Sequence, residues 1–142
     1  MKVKDVMTSQ VIRIRPEEPV SVAARMLEHY NIGALPVCGG DGQLRGMVTD
    51  RDLVVRCLAS ERLPRNTTVG DVMTGRVVCV QPETELALAA RLMGANQVRR
   101  LPVTRDGVLC GMVSLADLAA QEETAPDAED ALRQISGTHV QW

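Results

Sequence analysis

Asp5-Val6-Met7-Thr8 recurs as Asp71-Val72-Met73-Thr74, and the recurrence extends well beyond one motif. Pro16-Glu17 returns as Pro82-Glu83, Ala23-Ala24-Arg25 as Ala89-Ala90-Arg91, and Leu35-Pro36-Val37 as Leu101-Pro102-Val103, all shifted by 66 residues. After a one-residue deletion the shift becomes 65: Asp41-Gly42 answers to Asp106-Gly107, Gly46-Met47-Val48-Thr49 to Gly111-Met112-Val113-Ser114, and Asp52-Leu53 to Asp117-Leu118. The order is kept throughout. Such a repeat constrains the fold more than any local propensity, because neither copy of a small supersecondary unit buries its apolar face alone. The chain is expected to divide into a first repeat at residues 1–59, a linker at 60–69, a second repeat at 70–122 and an acidic tail at 123–142.

Periodicity lays out each copy. Val11-Ile12-Arg13-Ile14-Arg15 is rich in β-branched residues and closed by Pro16, which predicts a strand. Val20, Ala23, Ala24, Leu27 and Tyr30 fall at helical spacing, as do Leu86, Ala89, Ala90 and Met93. Two apolar runs, 34–37 and 44–48, flank Cys38-Gly39-Gly40-Asp41-Gly42 and predict a hairpin, with Pro36 at a sheet edge or strand start. Residues 50–58 read as a second helix. The unit is β-α-β-β-α, twice, which predicts an α+β fold of sandwich-like character: two repeats packed pseudo-twofold through their sheets. In the tail, Thr124 stands as an N-cap with Pro126 in the first turn, and Ala128, Ala131, Leu132 and Ile135 form a thin stripe before Gly137. That pattern predicts a short docking helix, the alternative being a frayed tail.

The composition of the 142 residues, 45% hydrophobic and 24% charged, is that of a soluble globular domain. With no Phe, one Tyr and one Trp, the interior must be filled by Val, Leu, Ile, Ala and the seven Met. A net charge of -2, with arginines interspersed among acids, argues against wholesale binding of nucleic acid or an anionic membrane. The lack of stacking aromatics further disfavours nucleic-acid binding through Arg99 and Arg100. The N-terminus has no apolar signal-like core and no run of about 18 apolar residues occurs, so a cytoplasmic location is expected. Cys38, Cys57, Cys79 and Cys110 are widely spaced, with only His29 and His139 to assist, so no metal site is expected and buried free thiols are the plain reading. A redox or metal role stays open as the lesser alternative, chiefly for Cys38 and Cys110, near loop ends. No residues are placed for catalysis, and no enzyme is expected.

The twin sequences Gly46-Met47-Val48-Thr49-Asp50-Arg51-Asp52 and Gly111-Met112-Val113-Ser114-Leu115-Ala116-Asp117 carry the chemistry. Each has a glycine, an apolar strand end, a hydroxyl, and a carboxylate three residues later where a helix opens. One reading is a capping box, in which Thr49 or Ser114 caps the helix and Asp52 or Asp117 bonds back to the cap amide. That reading leaves the paired glycines unexplained unless a tight hairpin demands them. The other reading uses the same geometry for a nucleoside phosphate: hydroxyl and amides for phosphate, carboxylate for the two ribose hydroxyls. Small Gly33 and Ala34 would leave room for an adenine ring.

The double series Asp-Val-Met-Thr, Leu-Pro-Val and Gly-Met-Val-(Thr or Ser)-x-x-Asp-Leu resembles a tandem pair of cystathionine β-synthase (CBS) domains, the Bateman module. It is similar to the stand-alone bacterial pairs, including the hypoxic-response type. The resemblance implies a regulatory module with a central cleft for adenosine ligands such as AMP, ADP, ATP, NAD or S-adenosylmethionine, and a homodimer. AMP or ATP is the expected ligand, and no cofactor is required. By position, Thr49 with Asp52 and Ser114 with Asp117 match the phosphate-side hydroxyl and ribose-binding Asp. Ile32, Gly33 and Ala34, and Val98, Arg99 and Arg100, match the adenine-contacting segment, with Arg99 and Arg100 placed to reach phosphate. The first copy has no base at the positions matching Arg99 and Arg100, so phosphate there would be met by Arg51, on the first helix turn beside Thr49, or from across the cleft. Two functions follow from this: a nucleotide sensor that alters dimer or partner geometry, or a ligand-free scaffold for dimerisation or for an unidentified protein partner.

Overall fold

The structure, a computed structural model, describes residues 1–137, so His139 and Trp142 lie outside the described residues. In chain order it contains a 3-10 turn at Val3–Asp5, α1 (Val20–Tyr30), β1 (Ala34–Cys38), β2 (Leu44–Thr49) and α2 (Asp50–Leu53), which runs on as a π-helical turn, Val54–Leu58. A 3-10 turn at Pro64–Asn66 and the short α3 (Val69–Val72) follow. The second copy supplies α4 (Leu86–Asn96), β3 (Arg100–Arg105), β4 (Val108–Ser114) and α5 (Leu115–Ala119), and α6 (Ala125–Ser136) completes the order. The mixed α and β architecture read from the repeat is the one observed, with two small antiparallel sheets and the tail helix.

The third strand of each copy is not formed. Of residues 11–15 only Ile14 pairs, in a single parallel bridge to Val37, and Val80 does the same with Val103. Ile14 donates its N–H to the Pro36 carbonyl at 3.0 Å and accepts from the Cys38 N–H at 2.9 Å. A longer ladder would need N–H groups from Pro36 on one side and Pro16 on the other, and proline has none. Pro82 and Pro102 stop the second copy in the same way. Each sheet is therefore a two-stranded hairpin, β1 with β2 and β3 with β4.

The compact units are not the sequence repeats. One comprises Ile12–Val77 and the other Met1–Val11 with Val78–Trp142, so each Asp-Val-Met-Thr motif belongs to the unit built on the other copy. Thr74 exchanges both backbone hydrogen bonds with Met47 at 2.8 and 3.0 Å, edging β2, and Thr8 does so with Met112 at 2.9 Å, edging β4. These straps account for the paired glycines. A Cβ on Gly46 would collide with the Thr74 carbonyl oxygen, and one on Gly111 would lie 3.0 Å from the Thr8 carbonyl oxygen and 2.8 Å from the Met7 sulfur.

The core of the first-copy unit joins Ile14, Val20, Ala23, Leu27, Leu35, Val37, Val48, Leu53 and Cys57 to Val69 and Val72. Val69, read from the sequence as linker, is fully buried, because the short helix it opens closes one side of this core. The second-copy core holds Val3, Leu86, Ala90, Met93, Leu101, Val113 and Leu118 together with Ala128, Ala131 and Ile135 of α6. The tail helix is docked, packed on α4 and α5. Its crossing with α4 falls at Gly94, where a Cβ would run into the Gln134 side chain and sit 3.2 Å from the Ala131 Cα. The first copy has Glu28 at the matching position. Thr124 does occupy the N-cap position of α6, but its hydroxyl makes no cap bond and donates instead to the Leu118 carbonyl at 2.8 Å.

Candidate functional site

Both capping boxes are made. Thr49 Oγ1 accepts from the Asp52 N–H at 3.1 Å while Asp52 Oδ2 accepts from the Thr49 N–H at 3.0 Å. Ser114 and Asp117 repeat this at 3.1 and 2.8 Å. Each helix start is satisfied by its own side chains, which stabilises it by about 1 kcal/mol relative to alanine at the cap. Each carboxylate still has a second oxygen. That of Asp52 lies 3.8 Å from the Arg56 guanidinium, which itself donates to the Val72 and Met73 carbonyls at 3.0 Å each. That of Asp117 meets no cation among the described residues.

The strand starts lie opposite the cap hydroxyls. Ala34 is the register partner of Thr49, and Arg100 that of Ser114. One residue earlier, the Gly33 carbonyl accepts from the Asp50 N–H at 3.1 Å, and the Arg99 carbonyl from the Leu115 N–H at 2.7 Å. Chain reversal into these segments comes from left-handed residues closing the preceding helices, Asn31 at φ 53° and Gln97 at φ 56°. Ile32 and Val98 are half-buried and pack on the cores of their own units. They anchor the segment from beneath. Gly33, Ala34, Arg99 and Arg100 stand beside the caps, so the structure brings each copy's proposed set together within one unit.

Beside the second cap lies a cleft of about 490 Å³ lined by Arg99, Arg100 and Ser114, by Leu115, Ala116 and Ala119 of α5, and by Ala125, Ala128, Glu129 and Leu132 of α6. Neither guanidinium has a hydrogen-bond or ion-pair partner among the described residues. The lining from α6 was not foreseen from the motif. The signal was present all the same, because residues 125, 128, 129 and 132 share one helical face next to the buried stripe. Asp117 is turned to its own cap and Val98 to the core, and neither lines the cleft. In the first copy, Arg51 lies on the first turn of α2 and its side chain is exposed and unpaired among the described residues.

The thiols are held protonated where shifts are resolved. Burial pushes the pKa of Cys38 up, outweighing the lowering by Arg13, and burial alone raises that of Cys79. Raised thiols are poor nucleophiles and poor metal ligands. Cys38 and Cys57 are buried as read from the sequence, whereas Cys79 and Cys110 are only half-buried. Cys110 donates to the Val103 carbonyl at 3.4 Å. Among the described residues there is no group of three or more His, Cys, Asp and Glu side chains arranged to hold a metal ion. No described helix is long and apolar enough to cross a membrane.

The sequence profile of the CBS domain matches residues 3–58 and 69–124. The chain belongs to the CBS domain family, as a tandem pair. It is 38% identical over 138 residues to the CBS domain-containing protein YhcV of Bacillus subtilis (strain 168), covering 97% of each chain. Its structure superposes on Hypoxic Response Protein I with two coordinated zinc ions at a TM-score of 0.78 and 34% identity, covering 84% of this chain and 97% of that one. It also superposes on CBSX2 in complex with AMP, at a TM-score of 0.72 and 32% identity, covering 82% and 91%. The CBS match ends at residue 124, so α6 lies wholly outside it.

Proposed function

We propose that this CBS pair senses adenosine nucleotides, with AMP or ATP as the ligand at the second copy. Arg99, Arg100 and Ser114 would take phosphate there, and a ribose hydroxyl reaching past the lining to the Ser114 cap would meet the second oxygen of Asp117. The observation that carries this is the cleft: two unpaired guanidiniums and a hydroxyl share about 490 Å³ with an apolar wall, the mix of an anionic end and a flat body that a nucleotide presents. The AMP complex of CBSX2 supports the same ligand class. In the first copy Thr49, Asp52, Gly33 and Ala34 offer the hydroxyl, carboxylate and space, with Arg51 the available cation.

The bound nucleotide would act by preferring one arrangement of the protein over another, as read by a second copy or by a protein partner. The shift is limited to the ligand's difference in affinity for the two arrangements. NAD and S-adenosylmethionine are alternative occupants of the same chemistry. A ligand-free scaffold is the second reading, and the closed capping boxes favour it, since hydroxyl and carboxylate are already used.

Calorimetric titration with AMP, ATP, NAD and S-adenosylmethionine decides between them, repeated on the Asp52→Ala, Asp117→Ala double variant. Saturable binding lost in the variant supports the sensor and ranks its ligands. No heat from any of the four with folded protein at millimolar ligand would remove the sensor and leave the scaffold.

A further inference from the structure

We infer that α6 is the wall of the second-copy cleft that sets which nucleotide it takes, favouring one phosphate over three. This rests on the nucleotide reading of that cleft.

Four of the ten lining residues, Ala125, Ala128, Glu129 and Leu132, come from α6, and none of them lies within the CBS match. The wall has two parts. Ala116 and Ala119 of α5 and Ala125 and Ala128 of α6 carry only a methyl group, which keeps that side shallow, and Leu132 stands beside them with 41% of its surface exposed. A flat base laid there covers an apolar side chain that the chain itself leaves open. The second part is charge. Glu129 lines the same cleft as Arg99 and Arg100 and is held on the helix surface by Arg133 at 2.7 Å. The lining therefore presents two positive groups and one negative, the latter partly offset by Arg133 behind it, a balance suited to a single phosphate. Further phosphates gain nothing from a third cation and are repelled by the carboxylate. At roughly one Debye length, about 8 Å, across a wet cleft, one carboxylate shifts the preference between ligands differing by two charges by about twofold in physiological salt.

The docking of α6 is itself secured by core residues, Ala128, Ala131 and Ile135, that do not depend on ligand. Glu129 and Leu132 face outward from that core, so each can be changed without opening it.

The test is calorimetry on the full chain with AMP, ATP and adenosine, using Arg100→Ala to mark the component of binding that belongs to this cleft. Glu129→Gln is expected to raise ATP affinity about twofold relative to AMP in that component at physiological salt, and more at low salt. Leu132→Gln, close in size and without charge, is expected to weaken AMP and adenosine alike by several-fold, with an unchanged unfolding midpoint. An unaltered ATP-to-AMP ratio in Glu129→Gln, together with unaltered adenosine affinity in Leu132→Gln, overturns the role of α6 and leaves the nucleotide reading standing. Binding with no component lost in Arg100→Ala also overturns it, since the ligand then sits elsewhere. No binding of any of the three to the unaltered chain removes the nucleotide reading, and this inference with it.

Discussion

The two copies share a strand end, a capping hydroxyl and a carboxylate, yet their surroundings differ in three ways. At the strand start the first copy has Gly33 and Ala34 where the second has Arg99 and Arg100. On the following turn the second copy carries no charge, with Leu115 and Ala116 in the places of Asp50 and Arg51. The helix of the second copy carries Gly94 where the first carries Glu28, and only the second is covered by α6. One backbone pattern thus stands beside small residues in one copy and beside a cationic cleft walled by α6 in the other. The lesson is that a repeated motif specifies its cap, while the residues beside it decide what the cap is offered.

The sharpest break in the comparison is to remove what only the second copy has. Ile135→Ala opens a hole where α6 meets its core and is expected to cost about 3 kcal/mol in urea unfolding. A smaller cost, with α6 still protected in amide exchange, would mean the helix is held by other contacts. Close behind comes the strap. Gly46→Ala is expected to cost about 2 to 3 kcal/mol, because the added methyl meets rigid backbone at Thr74. Gly111→Ala should cost less, since the flexible Met7 side chain can give way. Equal losses would show that the Thr8 carbonyl, not Met7, limits the second copy.

The cationic side is tested next. Arg100→Ala is expected to weaken AMP and ATP by about tenfold or more, the loss of a charge-assisted bond, and to leave adenosine nearly unchanged. Arg51→Ala should have the smaller effect. Equal effects of the two variants would erase the asymmetry between the copies, and equal loss of all three ligands would remove the phosphate role of Arg100. Asp117→Ala and Asp52→Ala should each lower stability by about 1 kcal/mol through the cap. Asp52→Ala should fall slightly further because Arg56 loses its nearest carboxylate.

The smallest effect is on the acid side and belongs to the second-copy unit. Hydrogen bonds from Lys2 to Glu85 and from Arg105 to Glu83 hold both carboxyls below the usual range. Such a group stabilises the fold above its unfolded pKa, and the contribution is lost as pH falls through the lower folded value. Stability should therefore decline slightly below about pH 5, and Glu85→Gln should flatten that decline. The Lys2 ammonium is raised by the same hydrogen bond, so its share is present below the unfolded lysine pKa and disappears only as pH rises through the raised value. Thermal midpoints between pH 3 and 6 in variant and parent check the acid limb.

Much of the fold could be read before any coordinates. The offset motifs gave two copies, the helical spacing gave α1 and α4, and the glycine-rich run between apolar stretches gave the hairpin of β1 and β2. The capping boxes were legible because they depend on residues three apart, and local chemistry is what a sequence displays. The strand at residues 11–15 failed for a reason also local in origin, since Pro16 and Pro36 remove the donors a longer ladder needs. That consequence appears only once Ile14 is known to lie parallel to Val37.

By itself the sequence determined the repeat, the caps, the apolar stripes and hence the family. Each of these is a pattern of neighbours within a turn of helix or a span of strand, where backbone geometry leaves few alternatives. The tertiary structure alone decided that each Asp-Val-Met-Thr strap edges the sheet of the other copy, and so why Gly46 and Gly111 are glycines. It alone decided that α6 seats on Gly94 and brings Glu129 and Leu132 beside Arg99 and Arg100. Those outcomes join residues far apart in the chain, and they are selected by which surfaces approach closely enough to exclude water, a property of the packed whole.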